Sequence, residues 1–255
     1  MAVPLYDDLS DDYDRFVNWP ARLAAELPFV QARLAERDAR RVLDVAAGTG
    51  QHAVALARAG YDLVAADLSA GMVEQARRNA AASGIELHLA VAGFGELAQL
   101  IPGPFDALLC LGNSLPHLLD EAALAAALAD MAAVLRPGGL LLLQLRNFHR
   151  VLAERERFMS PEAQREGDRE WLFFRFYDFE DPRLQFHVLR LYREGSGPWQ
   201  TRLGTTPLRA WQVHELVPAL RAAGFSEPLR YGNLRGEPYA PALSSDLVLL
   251  AEREG

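Results

Sequence analysis

The sequence predicts an α/β fold: a doubly wound, mostly parallel sheet with an antiparallel β insert over its carboxyl-end face. Three observations predict it. From residue 41 onward short apolar runs alternate with helical periods, which implies right-handed crossovers and a sheet covered on both faces. The first of those runs, "RVLDVA", opens into a glycine-rich turn before a helical pattern begins. After Arg150 the period falls to two in "WLFFRFYDFEDPRLQFHVLRLYREGSGPWQTRLGTTPLRAW", broken at "EDPR" and "GSGP", which signals hairpins rather than further crossovers.

Taken in order, residues 13 to 37 read as one or two helices. Asn18 is placed to cap before Trp19 and Pro20, and Pro28 to open a second turn. The crossover series follows as strand "RVLDVA", helix 50 to 59, strand "DLVAAD", helix 70 to 82 and strand "IELHLAVA". A short helical piece at 94 to 100, strand "FDALLCLG", helix 121 to 135 and strand "GGLLLLQLRN" complete it. Beyond the β insert the text resumes with helix 211 to 223, ended by Gly224, a strand near "EPLRYGN" and a last strand in "SSDLVLLAERE". The expected division is residues 1–150 and 205–255 for the sheet domain with an N-terminal helical lid, and 151–204 for a β-rich substrate cap.

Composition narrows the function classes. Of the 255 residues half are hydrophobic and 24% charged, which is ordinary globular usage and fits one large domain carrying an insert. No apolar run reaches membrane-spanning length, and the acidic start (Asp7, Asp8, Asp11, Asp12, Asp14) has no basic-then-apolar signal pattern, so a cytoplasmic protein is expected. A net charge of −8 argues against a nucleic-acid backbone as partner and favours a small-molecule substrate. The single cysteine, Cys110, excludes an intrachain disulfide and any multi-cysteine metal site, and its apolar setting reads as a buried, inert thiol. All 26 basic residues are arginine, which excludes a lysine Schiff base, a lysine nucleophile and the lysine of a phosphate loop.

The turn "VAAGTG" carries the chemistry. In a doubly wound sheet the first strand–helix turn is where a nucleotide-like ligand approaches the backbone, and Gly48 and Gly50 keep side chains out of that space. Read literally, residues 48–53 also satisfy G-x-G-x-x-G/A, so an NAD(P)-dependent oxidoreductase stays open. Asp44 argues the other way. An anionic side chain at the turn opposes a pyrophosphate, whereas the ammonium of S-adenosylmethionine would be drawn to it. Asp44 could instead only cap the turn. Asp67 ends the second strand, 19 residues after Gly48, where an acid can accept both ribose hydroxyls of either cofactor or cap the helix near Ser69.

These residues resemble the class I S-adenosylmethionine-dependent methyltransferases through "VLDVAAGTG", "VAADLS" and "FDALLCLGN", over roughly residues 40 to 146. A narrower resemblance, to glycine/sarcosine N-methyltransferases, rests on "LDVAAGTG" (with Ala46 where glycine is usual), "CLGNSLPHL" and "LRNFHRVL". It implies a Rossmann-like fold and S-adenosylmethionine as cofactor. It also implies that Asn113 and Arg146 hold the substrate amino acid, and that Leu111 and His117 lie against the cofactor. Asp44, Ala46, Gly48, Gly50, Asp67 and Leu68 would form the rest of that cofactor site. Where many relatives carry an acid that reads the adenine amine, this chain has Gly93 and Phe94, so backbone groups and the Phe94 face would hold adenine. The amino-terminal extension used in that family for tetramer contacts is shorter here, which leaves open whether a homo-oligomer forms.

Read from the residues alone, Asn113 and Arg146 both follow buried strands, where ligands of open α/β sheets bind. An arginine there matches a carboxylate with a planar fork, and it could equally tie the insert to the sheet by a salt bridge. Tyr6, Tyr13, Phe16 and Trp19 are candidates for a lid, with tyrosine faces suited to a sulfonium, though Tyr13 and Phe16 could simply pack. Tyr177 and Tyr192 of the insert could line the substrate space. No metal site is expected. The rival readings are a methyltransferase for an aminosugar, phenol or carboxylate acceptor, the oxidoreductase, and a cofactor-binding module without catalysis.

Overall fold

A computed structural model describes residues 4–180 and 183–255, so part of the expected "EDPR" turn lies outside the described residues. The chain begins with α1 (Pro4–Leu9), a single 3-10 turn at Tyr13–Arg15 and α2 (Trp19–Ala35). The crossover series is β1 (Arg41–Val45), α3 (Gln51–Arg58), β2 (Asp62–Asp67), α4 (Ala70–Ala82), β3 (His88–Val91), α5 (Leu97–Leu100), β4 (Phe105–Cys110), α6 (Glu121–Val134) and β5 (Leu135–Arg146). After α7 (Phe148–Glu154) come four strands, β6 (Glu162–Glu166), β7 (Arg169–Glu180), β8 (Arg183–Glu194) and β9 (Gln200–Arg209). The chain ends with α8 (Val213–Ala222), β10 (Leu229–Tyr231) and β11 (Asp246–Glu252).

The main sheet has the order β10-β11-β5-β4-β1-β2-β3. The pairs among β1 to β5 are all parallel, and β11 runs antiparallel to both of its neighbours. This is the expected doubly wound, Rossmann-like, mostly parallel sheet. A reversal of strand order about β1, between β2 and β4, leaves a crevice at the carboxyl ends of these strands. The expected antiparallel insert is a separate sheet, β6-β7-β8-β9, which continues to Arg209.

The central strands are apolar because both faces are covered. Leu108, Leu109, Leu141, Leu142 and Leu143 are all buried, each worth roughly 1.5–3 kcal/mol relative to exposure. The polar Gln144 of β5 is satisfied: its Oε1 accepts the Gly112 N–H at 2.7 Å and so fixes the loop after β4.

Local deviations from the expected elements have physical causes. The Asn18 Oδ1 accepts the Ala21 N–H at 3.2 Å and caps α2 as anticipated. Pro28, however, sits inside one continuous helix rather than opening a second. It forfeits a single backbone donor, and the buried stripe Phe29, Val30 and Leu34 holds α2 across that gap. The piece expected at 94 to 100 shortens to Leu97–Leu100. Gly95 adopts φ +88° and the Glu96 side chain accepts the Gly93 N–H at 2.9 Å, so residues 93 to 96 form a turn. The amino-terminal segment packs Leu5, Leu9 and Phe16 against Trp171, Phe173 and Val188 of the second sheet. That cluster brings the segment over the crevice.

Candidate functional site

At the carboxyl ends of β1, β2 and β4 lies a cavity roofed by the amino-terminal segment. The turn after β1 shapes its floor. Ala46 (φ +54°), Gly48 (φ +57°) and Gly50 (φ +73°) adopt left-handed backbone conformations there. A Cβ on Gly48 would meet nothing within 4 Å, so this residue presents bare backbone to open space. Gly50 serves differently: a Cβ there would stand 2.8 Å from the Ala76 Cβ, and the residue lets α3 and α4 touch rather than lining the cavity.

Two acids face the cavity. The Asp44 carboxyl is 2% exposed, and no donor among the described residues hydrogen-bonds to it. Burial, then the Asp67 charge, pushes its pKa up to about 7, against the pull of Arg22. Asp67 is anchored instead. Its Oδ2 accepts the Gly48 N–H at 2.8 Å and its Oδ1 the Ser69 N–H at 2.9 Å, which locks the first turn to the second. Burial raises its pKa while these amides oppose the rise. The helix cap proper is Ser69, whose Oγ accepts the Met72 N–H at 3.1 Å.

Apolar walls complete the pocket. Leu68, Met72, Leu97 and Leu111 surround it with Gly93 and the Phe94 ring, a surface suited to a flat aromatic heterocycle. Tyr6, Tyr13 and Trp19 line the roof. The Tyr6 hydroxyl and His117 Nε2 are 3.0 Å apart, and burial pushes the His117 pKa down to about 4, so its ring is neutral. Phe16, by contrast, packs on Phe173 at 5.2 Å between ring centres.

Sequence reasoning missed two contributors. Asp14, read only as one of several amino-terminal acids, accepts from Trp19 Nε1 (2.7 Å), Thr49 Oγ1 (2.6 Å), Gln51 Nε2 (3.1 Å) and Asn79 Nδ2 (2.8 Å). Arg22 lines the cavity and pairs with Glu26 at 3.0 Å, which also contacts His52 Nε2 at 2.7 Å. Asp14 is unmarked because Thr49, Gln51 and Asn79 lie far along the chain, and Arg22 reads locally only as half of an i,i+4 pair with Glu26.

The cavity thus gathers Tyr13, Trp19, Asp44, Ala46, Gly48, Asp67, Leu68, Gly93, Phe94, Leu111 and His117. Gly50, Asn113 and Arg146 stand outside its lining. The Asn113 Oδ1 accepts the Arg146 N–H at 2.9 Å, joining the ends of β4 and β5, and the Arg146 guanidinium pairs with Glu156 at 3.2 Å. Tyr177 is buried against Phe148 and Phe186, and Tyr192 packs on Trp171.

Residues 42–139 match a family described as a methyltransferase domain. A glycine/sarcosine N-methyltransferase of Parasynechococcus marenigrum (strain WH8102) is 44% identical over 146 residues, covering 57% of this chain and 52% of that protein. The matched region spans about half the length of such curated relatives. In fold, the chain is similar to an S-adenosylmethionine-dependent methyltransferase from Clostridium acetobutylicum ATCC 824, with a TM-score of 0.80 over 98% of this chain and 99% of that one at 17% identity. The SAM-bound structure of an amino pentose methyltransferase from Micromonospora echinaspora aligns with a TM-score of 0.70 over 94% of this chain and 93% of that one, at 25% identity.

Proposed function

We propose that this protein transfers a methyl group from S-adenosylmethionine to the nitrogen of a small amino acid of the glycine or sarcosine type, a reading supported by the match of residues 42–139 to a methyltransferase domain. One observation carries the cofactor half of this reading: the buried Asp44 carboxyl, which no donor among the described residues reaches, faces the cavity beside bare turn backbone. A buried carboxylate without a partner is costly, and a ligand ammonium at that spot removes the cost. A dinucleotide fits less well, because Asp44 and Asp67 would oppose its pyrophosphate and Arg22 is the one arginine in the lining among the described residues.

S-adenosylmethionine supplies an electrophilic methyl group on a sulfonium. The chain's residues supply alignment. Ala46 and Gly48 leave room for the amino-acid tail that Asp44 attracts, Asp67 receives the ribose hydroxyls, and Leu68, Gly93, Phe94, Leu111 and His117 hold the adenine side. Tyr13 and Trp19 close the roof over the charged sulfur, where a ring face is attractive to a cation. Gly50 acts one step removed, by letting α3 and α4 approach. Asn113 and Arg146 set the acceptor end. Holding the two reactants in line is worth roughly 7–11 kcal/mol of barrier.

A second acceptor class, an aminosugar, is favoured by one observation: likeness to the amino pentose methyltransferase extends over 94% of the chain, against 57% for the glycine/sarcosine relative. Incubation with methyl-labelled S-adenosylmethionine and a panel of amino acids, aminosugars, simple amines and phenols separates these. Label on glycine or sarcosine nitrogen supports the first reading. Label confined to acceptors without a carboxylate removes it, and a cytoplasmic, small-molecule role remains the broader proposal.

A further inference from the structure

Beside the cavity lies a groove walled by Phe16, Arg22, Arg175, Asn233, Arg235 and Asp246. Arg22 lines both spaces, so they adjoin at its side chain. Tyr13 faces the cavity, and its ring packs on Phe16 of the groove at 4.9 Å between centres. A molecule seated in the groove therefore abuts the roof of the cavity.

The groove's charges do not balance locally. Arg175 projects from β7 with its guanidinium 5.1 Å from the Phe16 ring centre, and among the described residues it forms no ion pair. Other arginines anchored on the same sheet do: Arg190 pairs with Asp8 and Asp12, and Arg193 with Glu170. Arg146, which stands outside the groove's lining but near enough for its charge to act on Arg175, shares the Glu156 carboxylate with Arg150, at 3.2 and 3.1 Å. Arg150 also reaches Glu154 at 3.9 Å, so Arg146 and Arg150 both have ion-pair partners while Arg175 has none among the described residues. The Nε atoms of Arg146 and Arg175 are both buried with no hydrogen-bond partner. Burial disfavours the ionised form of Arg175, opposed by Tyr13 and the Glu162 charge and reinforced by the charge of Arg146. Of the two acids lining the groove, Glu26 pairs with Arg22 and Asp246 forms no ion pair with Arg175, so the Arg175 guanidinium is left without an anionic partner among the described residues; a carboxylate matches its donor fork.

We propose that the groove is the acceptor's site and that Arg175 receives the acceptor's carboxylate beside Arg146. This rests on reading the adjoining cavity as the methyl donor's. It adds to Arg146 a residue from the second sheet, and it makes that sheet part of substrate selection rather than a cover alone.

The test uses the full chain loaded with S-adenosylhomocysteine, with Arg175→Leu and Arg175→Lys beside the parent. Glycine, sarcosine and 4-aminobutyrate are titrated calorimetrically, with 2-aminoethanol as the amine lacking a carboxylate. Arg175→Leu is expected to weaken the tightest-binding amino acid by at least about 30-fold, the scale set by losing one partner of a buried charge pair. Arg175→Lys restores part of that loss, and affinity for S-adenosylhomocysteine and for 2-aminoethanol stays within about twofold of the parent's on this scale. Equal affinity of parent and Arg175→Leu for the amino acids overturns the proposal. So does an equal loss for 2-aminoethanol, or a loaded parent that binds none of the three amino acids. Failure of the parent to bind S-adenosylhomocysteine overturns the methyl-donor reading itself, and the inference falls with it.

Discussion

The Asp14 carboxylate accepts the Thr49 hydroxyl at 2.6 Å, which ties the amino-terminal segment to the turn after β1. Its other partners, Trp19, Gln51 and Asn79, belong to α2, α3 and α4. One side chain therefore fastens the roof of the cavity to two helices beneath it.

Asp14→Ala is expected to loosen the roof. Hydrogen bonds to a charged group contribute about 1.5–3 kcal/mol each when removed singly, and these share one acceptor, so a total loss of about 3 kcal/mol follows. Affinity for S-adenosylhomocysteine should fall about tenfold or more on the same scale, since binding must then order the roof. Chemical denaturation and calorimetry check both numbers.

Asp44 predicts a pH dependence opposite to that of an ordinary salt-bridged acid. Its folded pKa of about 7 lies above the ordinary aspartate value of 3.8, so the folded protein holds this proton more tightly than the unfolded chain does. The resulting stabilisation is complete below about pH 4 and is lost as pH rises to about 7. Asp44→Asn lacks the titration. The stability difference between the ligand-free parent and Asp44→Asn, measured by urea unfolding at several pH values, should move against the parent across that window. An unchanging difference would show that Asp44 ionises normally. In the same window, affinity of the parent for S-adenosylmethionine should rise with pH as the carboxylate becomes available to the ammonium.

Gly48 and Gly50 should fail in different ways. Gly50→Ala forces a Cβ against Ala76 at 2.8 Å in a left-handed conformation, which predicts a stability loss of about 3 kcal/mol. Gly48→Ala meets open space and carries only the cost of φ +57°, about 1–2 kcal/mol, but fills part of the cavity. Its cofactor affinity should fall more than its stability. Thermal unfolding with and without S-adenosylhomocysteine separates the two.

Much of the fold was legible because its signals are local. The alternation from residue 41 fixes the crossovers, α4 begins and ends at residues 70 and 82 as its text suggests, and Asn18 caps α2. The turn residues Asp44, Gly48 and Asp67 could be picked out because strand ends and glycine conformations are written in consecutive letters. What sequence could not show is set by distance along the chain. Asp14 reaches Asn79, and Glu156 claims the Arg146 fork that the resemblance assigns to substrate. Gly50 looked like a ligand contact because its motif is shared, whereas its neighbour Ala76 decides its role. Arg175 carries no motif at all. Its significance appears only when the partners of every nearby guanidinium are counted.

The most direct measurement is a pair of calorimetric titrations of the parent protein, one with S-adenosylhomocysteine and one with NAD. A saturable heat with S-adenosylhomocysteine that Gly48→Ala weakens, and none with NAD, is the predicted result. Tight binding of NAD with no response to S-adenosylhomocysteine would contradict the account at its root.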